Sequence, residues 1–420
     1  MGFVKSVYFT ICIFLVLFVF RVPIFFNSSI LAFVLLLPVS LSSYGQFRIN
    51  IKRLFVEDNK LIRLIAILFL IIIFSFLLPV FHGTYDFSIL VPLVNQLVNI
   101  LIVILFVVLS YSKGNYYEVL DLVSYGFVLQ SIIMFMSLLS PSIYNLVQLT
   151  QDQGAIELSI SQYGGYRNLG IGSSQFFYMN AAFGLMVIIQ MFLYVSLRKT
   201  KYLFMFIITL FGLFVTGRSA LLGVFFAFVI FFYDLFQRNK MGFIFKLPLY
   251  LFICLLLLLV FYNYLPDFLR NWVFEAFINY EKSGKLSSSS SDKLLNEMFF
   301  MPNPFTVIFG DGLYQNPLGE GYYGKTDSGY MRMILFYGIG GVIMYFLYFK
   351  NIMKYLYSNL KEVEIYKIHN LKLLIALISL YVIILHVKGE IMGFLISVQI
   401  ILFIWLICTV LFNKELKVKV

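Results

Sequence analysis

Apolar residues run along this chain in long blocks separated by short polar breaks. A helix needs about 20 mostly apolar residues to cross the roughly 30 Å hydrocarbon core of a bilayer. Twelve blocks approach that length, centred near residues 14, 36, 73, 100, 131, 186, 209, 227, 256, 339, 379 and 402. The pattern predicts an all-α polytopic membrane protein with about 12 transmembrane helices, forming one integral membrane domain over residues 1–420. Arg21 interrupts the first block and no small-residue cleavage site follows, so that block reads as a retained helix and not as a signal peptide.

Two breaks are long. Residues 141–174 form a first enlarged loop and residues 266–328 a second, larger one. Loops of more than about 15 residues in a compact protein are usually functional or disordered. In the second, Leu269, Trp272, Val273, Ala276, Phe277 and Tyr280 recur at helical spacing, the pattern of a short amphipathic helix lying on the membrane surface. A flexible serine run at 287–291 separates it from "DKLLNEMFF", a second short helix, and "FGDG" reads as a turn. No internal repeat is visible, which disfavours transporter folds built from inverted halves.

Composition agrees with the pattern: 61% of the 420 residues are hydrophobic and only 12% are charged. The net charge of +11 would suggest a nucleic-acid partner in a soluble protein; here its distribution sets topology instead. Lysines and arginines gather in alternate connections, at 48–63, 198–201, 238–246, 350–372 and 414–419. That bias places both termini in the cytoplasm and both enlarged loops outside. Cys12, Cys254 and Cys408 lie inside apolar blocks and the three histidines are scattered, so no metal-ligand spacing occurs. No phosphate-binding loop, kinase motif or dinucleotide fingerprint occurs either, and no cofactor is expected.

The charges on the outer side lack a topological explanation. Arg218 sits in "VTGRSALL", at the tip of a tight hairpin between two apolar blocks. It is either a snorkelling arginine touching lipid phosphates or a ligand-facing charge. Arg167, among the glycines of "GGYRNLG", is either an exposed loop residue or a ligand contact. Lys388 and Glu390 follow His386 at the last outer turn, as a solvated pair or as a base beside a cationic site. Lys325, Asp327 and Arg332 crowd the start of the block near 339, where Gly338, Gly340 and Gly341 suit close helix packing. Asp327 there takes part in chemistry or orients Arg332. Guanidinium groups match phosphate oxygens, so a phosphate-bearing lipid presented from the outer leaflet fits this set.

The hairpin "TGRSALLG", the loop "YRNLGIGSS" and "FGDGLYQN" followed by "TDSGYMRMILFYGIGG" give the chain a resemblance. Together with the whole topology, they resemble the bacterial O-antigen and capsule repeat-unit polymerase (Wzy) family and its relative, the O-antigen ligase. The resemblance implies a glycosyltransferase of the bacterial inner membrane, with its active site facing the periplasm. It implies metal-independent, inverting transfer between undecaprenyl-diphosphate-linked oligosaccharides, a role in lipopolysaccharide or capsule biosynthesis, membrane lipids as surroundings and a chain-length-regulating co-polymerase as a partner. Arg218 matches the family's diphosphate arginine. Asp327 stands where ligases carry histidine, which favours polymerase. Asp327 and Glu390 are the carboxylates available to activate an acceptor hydroxyl. Arg167, Arg270, Lys293, Lys325, Arg332 and Lys388 are the substrate-binding candidates, Arg270 and Lys293 standing in for a loop arginine of the ligases. Tyr314, Tyr322 and other loop aromatics are either sugar-stacking platforms or an interfacial belt. A ligase, a lipid-linked oligosaccharide flippase or an assembly partner remain the alternative readings.

Overall fold

The computed structural model describes residues 2–22, 27–55, 59–111, 117–163, 169–172, 177–238, 263, 270–271, 274–285, 287–317, 321–363, 368–393 and 396–418. Among these residues the regular structure is helical, with one isolated bridge between Gln315 and Tyr322. The bundle is built from α1 (Phe3–Leu17), α2 (Ser28–Ser42), α3 (Tyr44–Phe55), α4 (Asn59–His82), α5 (Leu90–Ser110) and α6 (Tyr117–Leu139). After α7 (Pro141–Gln148) and α8 (Gln153–Tyr163) come α9 (Phe177–Leu197), α10 (Thr200–Thr216) and α11 (Leu221–Arg238). The second long connection holds α12 (Glu275–Ser283), α13 (Ser289–Lys293), one π turn (Leu294–Met298) and α14 (Pro304–Phe309). Then follow α15 (Gly329–Tyr337), α16 (Ile339–Leu360), α17 (Ile368–His386) and α18 (Ile396–Val418).

Helices occupy the expected apolar centres apart from the one near residue 256, which lies outside the described residues. Among the described residues six helices are long and apolar enough to cross a membrane, or up to seven if the bent pair α2–α3 is one span. That establishes a multi-pass membrane protein. Peripheral α4 leaves Phe69, Leu70, Phe76 and Phe81 exposed, as a lipid-facing helix does, whereas α9 and α18 are enclosed by their neighbours. Close approach at the centre depends on small residues: a Cβ on Gly223 of α11 would fall 2.4 Å from the Gly184 carbonyl oxygen of α9.

α2 occupies the block near residue 36, and α3 turns 108° away from it into the basic connection. Two expectations change. The block near 339 is broken at Gly338, whose φ of +73° ends α15 and starts α16. A left-handed backbone there favours glycine. The space also requires it, since a Cβ would meet the Ile308 carbonyl oxygen at 2.3 Å. The serine run is not a loose spacer either. Ser288 and Ser291 exchange backbone and hydroxyl hydrogen bonds that open α13.

The Ser397 hydroxyl donates to the Leu17 carbonyl at 2.9 Å, so the start of α18 meets the end of α1. The start of α1 and the end of α18 therefore lie together at the other end of the bundle. That end is bound by polar contacts: Asp121 with Lys201, Asp234 with Arg198 and Arg238, and Tyr111 with Glu415. The long connections gather at the opposite end, around the starts of α5, α9, α11 and α18.

Candidate functional site

Arg332 lies in the first turn of α15 and is almost fully buried, an unusual place for a guanidinium. Its partner is Glu390, in the turn between α17 and α18, with Nη2 3.7 Å from Oε2 and both side chains about 2% exposed or less. At that separation the two attract as charges without a proper hydrogen bond. The guanidinium lies 3.5 Å over the Tyr322 ring and 4.5 Å from the Tyr314 ring centroid. Such stacking is among the favourable contacts open to a desolvated arginine. The Tyr314 hydroxyl donates to Glu390 Oε2 at 3.4 Å. Arg332 Nε and Nη2, Glu390 Oε1 and the Ser328 hydroxyl have no hydrogen-bond partner among the described residues. These buried polar atoms are open to bonds with a further group. Burial pushes the Glu390 carboxyl up to about 7, and Arg332 pulls the other way.

The walls are set by local chemistry. His386 Nδ1 accepts the backbone N–H of Ile391 at 3.0 Å and of Met392 at 3.4 Å, which fixes the Nε2–H tautomer and the turn carrying Glu390. His386 is thus a brace for that turn. On the other side, Asp86 accepts the N–H groups of Tyr314 and Gln315 at 2.6 and 2.8 Å, holding the tyrosine loop. Asp311 joins Thr306 and Tyr323, and its N–H donates to the Leu335 carbonyl, so the "FGDG" turn docks on the end of α15.

Asp327 is exposed at the rim of the site and does not pair with Arg332, whose carboxylate is Glu390. Lys293 and Lys388 act on it electrostatically. Surrounding protein raises its carboxyl above the ordinary range and the two lysines lower it; the open surface keeps the net effect on stability small. The structure therefore brings together Arg332, Glu390, Asp327, Lys293 and Lys388. Lys325 is exposed beside them in a short turn at φ +54°.

Arg218 belongs to a second cluster. Asn180 of α9 fastens its hairpin turn: Nδ2 donates to the Gly217 carbonyl at 2.6 Å, and Oδ1 accepts the Ala220 N–H at 2.6 Å and the Ser219 hydroxyl at 3.0 Å. The partly buried Arg218 guanidinium pairs with Glu275 of α12, and Glu275 Oε1 also accepts the Ser289 N–H at 2.8 Å. Burial alone would raise the Glu275 carboxyl, but the Ser289 N–H and Arg218 lower it below the ordinary range.

The first turn of α9 connects the clusters. Phe177 packs on Gly389, Tyr178 shares a hydrogen bond with Tyr322, and Asn180 holds the Arg218 turn. Arg270 lies in a helical turn just before α12, its carbonyl accepting the Phe274 N–H at 3.0 Å. Arg167 falls outside the described residues, as do Leu269, Trp272 and Val273 of the amphipathic pattern; its Phe277 and Tyr280 are exposed on α12. Tyr314 and Tyr322 carry the Arg332 guanidinium. Sequence reasoning missed Asn180, Tyr178 and Asp86. A lone asparagine at the head of an apolar block, and an aspartate in the "GTYDFS" break, were the available signals.

Among the described residues no group of three His, Cys, Asp or Glu side chains is arranged to hold a metal. Comparison with protein-family models, with curated proteins and with solved structures finds no match.

Proposed function

We propose that this protein is a glycosyltransferase that polymerises polyprenyl-diphosphate-linked oligosaccharide repeat units at the outer face of a bacterial inner membrane. The observation that carries the reading is the buried Glu390, near-neutral in pKa, with an open oxygen and the Arg332 guanidinium 3.7 Å away, in a turn that also carries Lys388 at one end of an apolar bundle. A base works best when its pKa lies near the working pH. An acceptor sugar hydroxyl placed at Glu390 Oε1 gives its proton to the carboxylate as its oxygen attacks C1 of the donor sugar. The C1–oxygen bond to the diphosphate breaks with inversion, and the diphosphate departs with the electron pair. The leaving charge needs preorganised cations, a role for Arg218 with the lysines of the rim. Arg332 holds Glu390 in place and opposes the rise in its pKa. Cleavage of the bond between the sugar and its diphosphate drives the reaction without ATP.

The test is a strain lacking the gene, examined by polysaccharide gel. A single repeat unit on lipid A supports the polymerase. Lipid-linked polymer that never reaches lipid A indicates a ligase, and single units held at the cytoplasmic face indicate a flippase; either result overturns the proposal.

A further inference from the structure

Residues 299–309 turn large apolar side chains outward although they belong to a long connection and not to a spanning helix. Phe299, Phe300, Met301, Phe305, Ile308 and Phe309 are exposed, Met301 to 87% and Phe305 to 60%. The segment contains no charged residue. Its two polar side chains are engaged: Asn303 Oδ1 accepts the Thr306 N–H at 2.8 Å, and the Thr306 hydroxyl donates to Asp311 at 2.7 Å. Within its helical part the backbone is also engaged: Val307 N–H donates to Asn303 O and Gly310 N–H to Thr306 O, while Pro302 and Pro304 have no N–H to satisfy. An exposed, uncharged apolar surface of this size suits hydrocarbon and is costly in water.

The surface continues onto the bundle. Gly310 packs on Phe336 and Gly338, next to exposed Ile339 at the head of α16. Gly312 lies against the His82 ring, and its carbonyl accepts the Thr84 hydroxyl at 2.7 Å, so the segment adjoins the end of α4 where Val80 and Phe81 are exposed. α4 is one of the helices long and apolar enough to span a membrane.

We infer that residues 299–309 form a ledge immersed in the acyl-chain region of the bilayer, its occupant being lipid hydrocarbon. The ledge sets the depth of the site beside it. The Thr326 hydroxyl donates to the Met298 carbonyl at 2.9 Å, and the Phe300 ring abuts Gly324. Lys325 and Asp327 are thereby held just outside the hydrocarbon, at the level of lipid phosphates. This placement does not depend on glycosyl transfer.

The experiment uses the full chain in lipid nanodiscs, with Met301→Cys, Phe305→Cys or Phe309→Cys introduced singly. Modification by a charged, membrane-impermeant methanethiosulfonate is compared with Lys285→Cys on the exposed connection, after subtracting the parent chain. Immersion predicts labelling at least about tenfold slower at the ledge positions. It also predicts that a bimane at those positions is quenched by lipids carrying nitroxide on their acyl chains. Labelling as fast as at Lys285→Cys overturns the inference. Protection without lipid quenching also overturns it, because a protein then covers the ledge. Three independent positions keep the test decisive if one variant fails to fold.

Discussion

Glu390 and Arg332 are buried together yet stop 3.7 Å apart, each with an unpartnered polar atom. A pair assembled for stability alone would close to a bidentate contact and satisfy its remaining atoms. This one is held open by the tyrosine bed beneath Arg332 and by the His386-braced turn behind Glu390. The relationship connects two parts of the chain that no local pattern joins.

Removing one charge from this pair leaves the other buried and alone. Arg332→Ala is expected to destabilise the protein by about 3–5 kcal/mol. Arg332→Lys retains charge but loses the planar stack on Tyr322, so it recovers only part of that loss. Thermal unfolding of the detergent-solubilised variants measures both. Equal stability of Arg332→Ala and the parent chain refutes the pairing.

The carboxyl of Glu390 also gives stability a pH dependence. Its ordinary value of 4.5 is raised to about 7 in the fold. Between those values the folded chain keeps a proton that the unfolded chain has released, so stability falls as pH rises through the window. The loss approaches about 3 kcal/mol once pH exceeds the upper value. Glu390→Gln should flatten this part of the profile. On the proposed function, polymerising activity should by contrast rise through the same upper value as Glu390 ionises and should vanish in Glu390→Gln. Unfolding midpoints and turnover across pH 5–8 test the two opposite slopes.

The hydrophobic blocks exposed most of the helical plan to a sequence reading, because about 20 apolar residues leave a chain few alternatives to spanning a bilayer. The tight hairpin at Arg218 and the turn at "FGDG" were legible for the same local reason. Gly338 suits close packing in the sequence, whereas its backbone breaks the helix; glycine permits both and the sequence carries no φ. Arg332 was visible as a charge needing a partner, but the nearby Asp327 was a candidate for that role and the distant Glu390 has it. Ion pairing across elements depends on tertiary approach, which periodicity does not encode.

Asn180 is expected to matter as much as the arginine it positions. Replacing it with leucine leaves the Ala220 N–H and the Gly217 carbonyl without these partners in a buried turn. Each unsatisfied group costs about 1–3 kcal/mol. Asn180→Asp retains acceptance from Ala220 and Ser219 but loses donation to Gly217. The leucine variant should therefore be less stable than the aspartate variant, with activity falling in both as Arg218 loses its setting. A leucine variant that unfolds at the parental temperature removes Asn180 from this role.

Glu275 lies against Arg218 in the position an anionic substrate group would take, accepting from the guanidinium and from the Ser289 N–H. If Arg218 receives the diphosphate, the carboxylate competes with it. Glu275→Gln removes that competition while keeping an acceptor for Ser289. It is expected to tighten binding of undecaprenyl diphosphate by about tenfold, the equivalent of about 1.4 kcal/mol. Arg218→Ala should abolish long-chain polysaccharide while the protein still inserts, with a loss of at least about a hundredfold in rate. Arg218→Lys should rescue poorly, since an ammonium lacks the fork that matches phosphate oxygens. Binding measured in nanodiscs separates the two effects. Unchanged affinity in Glu275→Gln with lost activity in Arg218→Ala leaves Arg218 in the reaction and makes Glu275 a structural partner. Normal polymer length in Arg218→Ala removes the hairpin arginine from the mechanism.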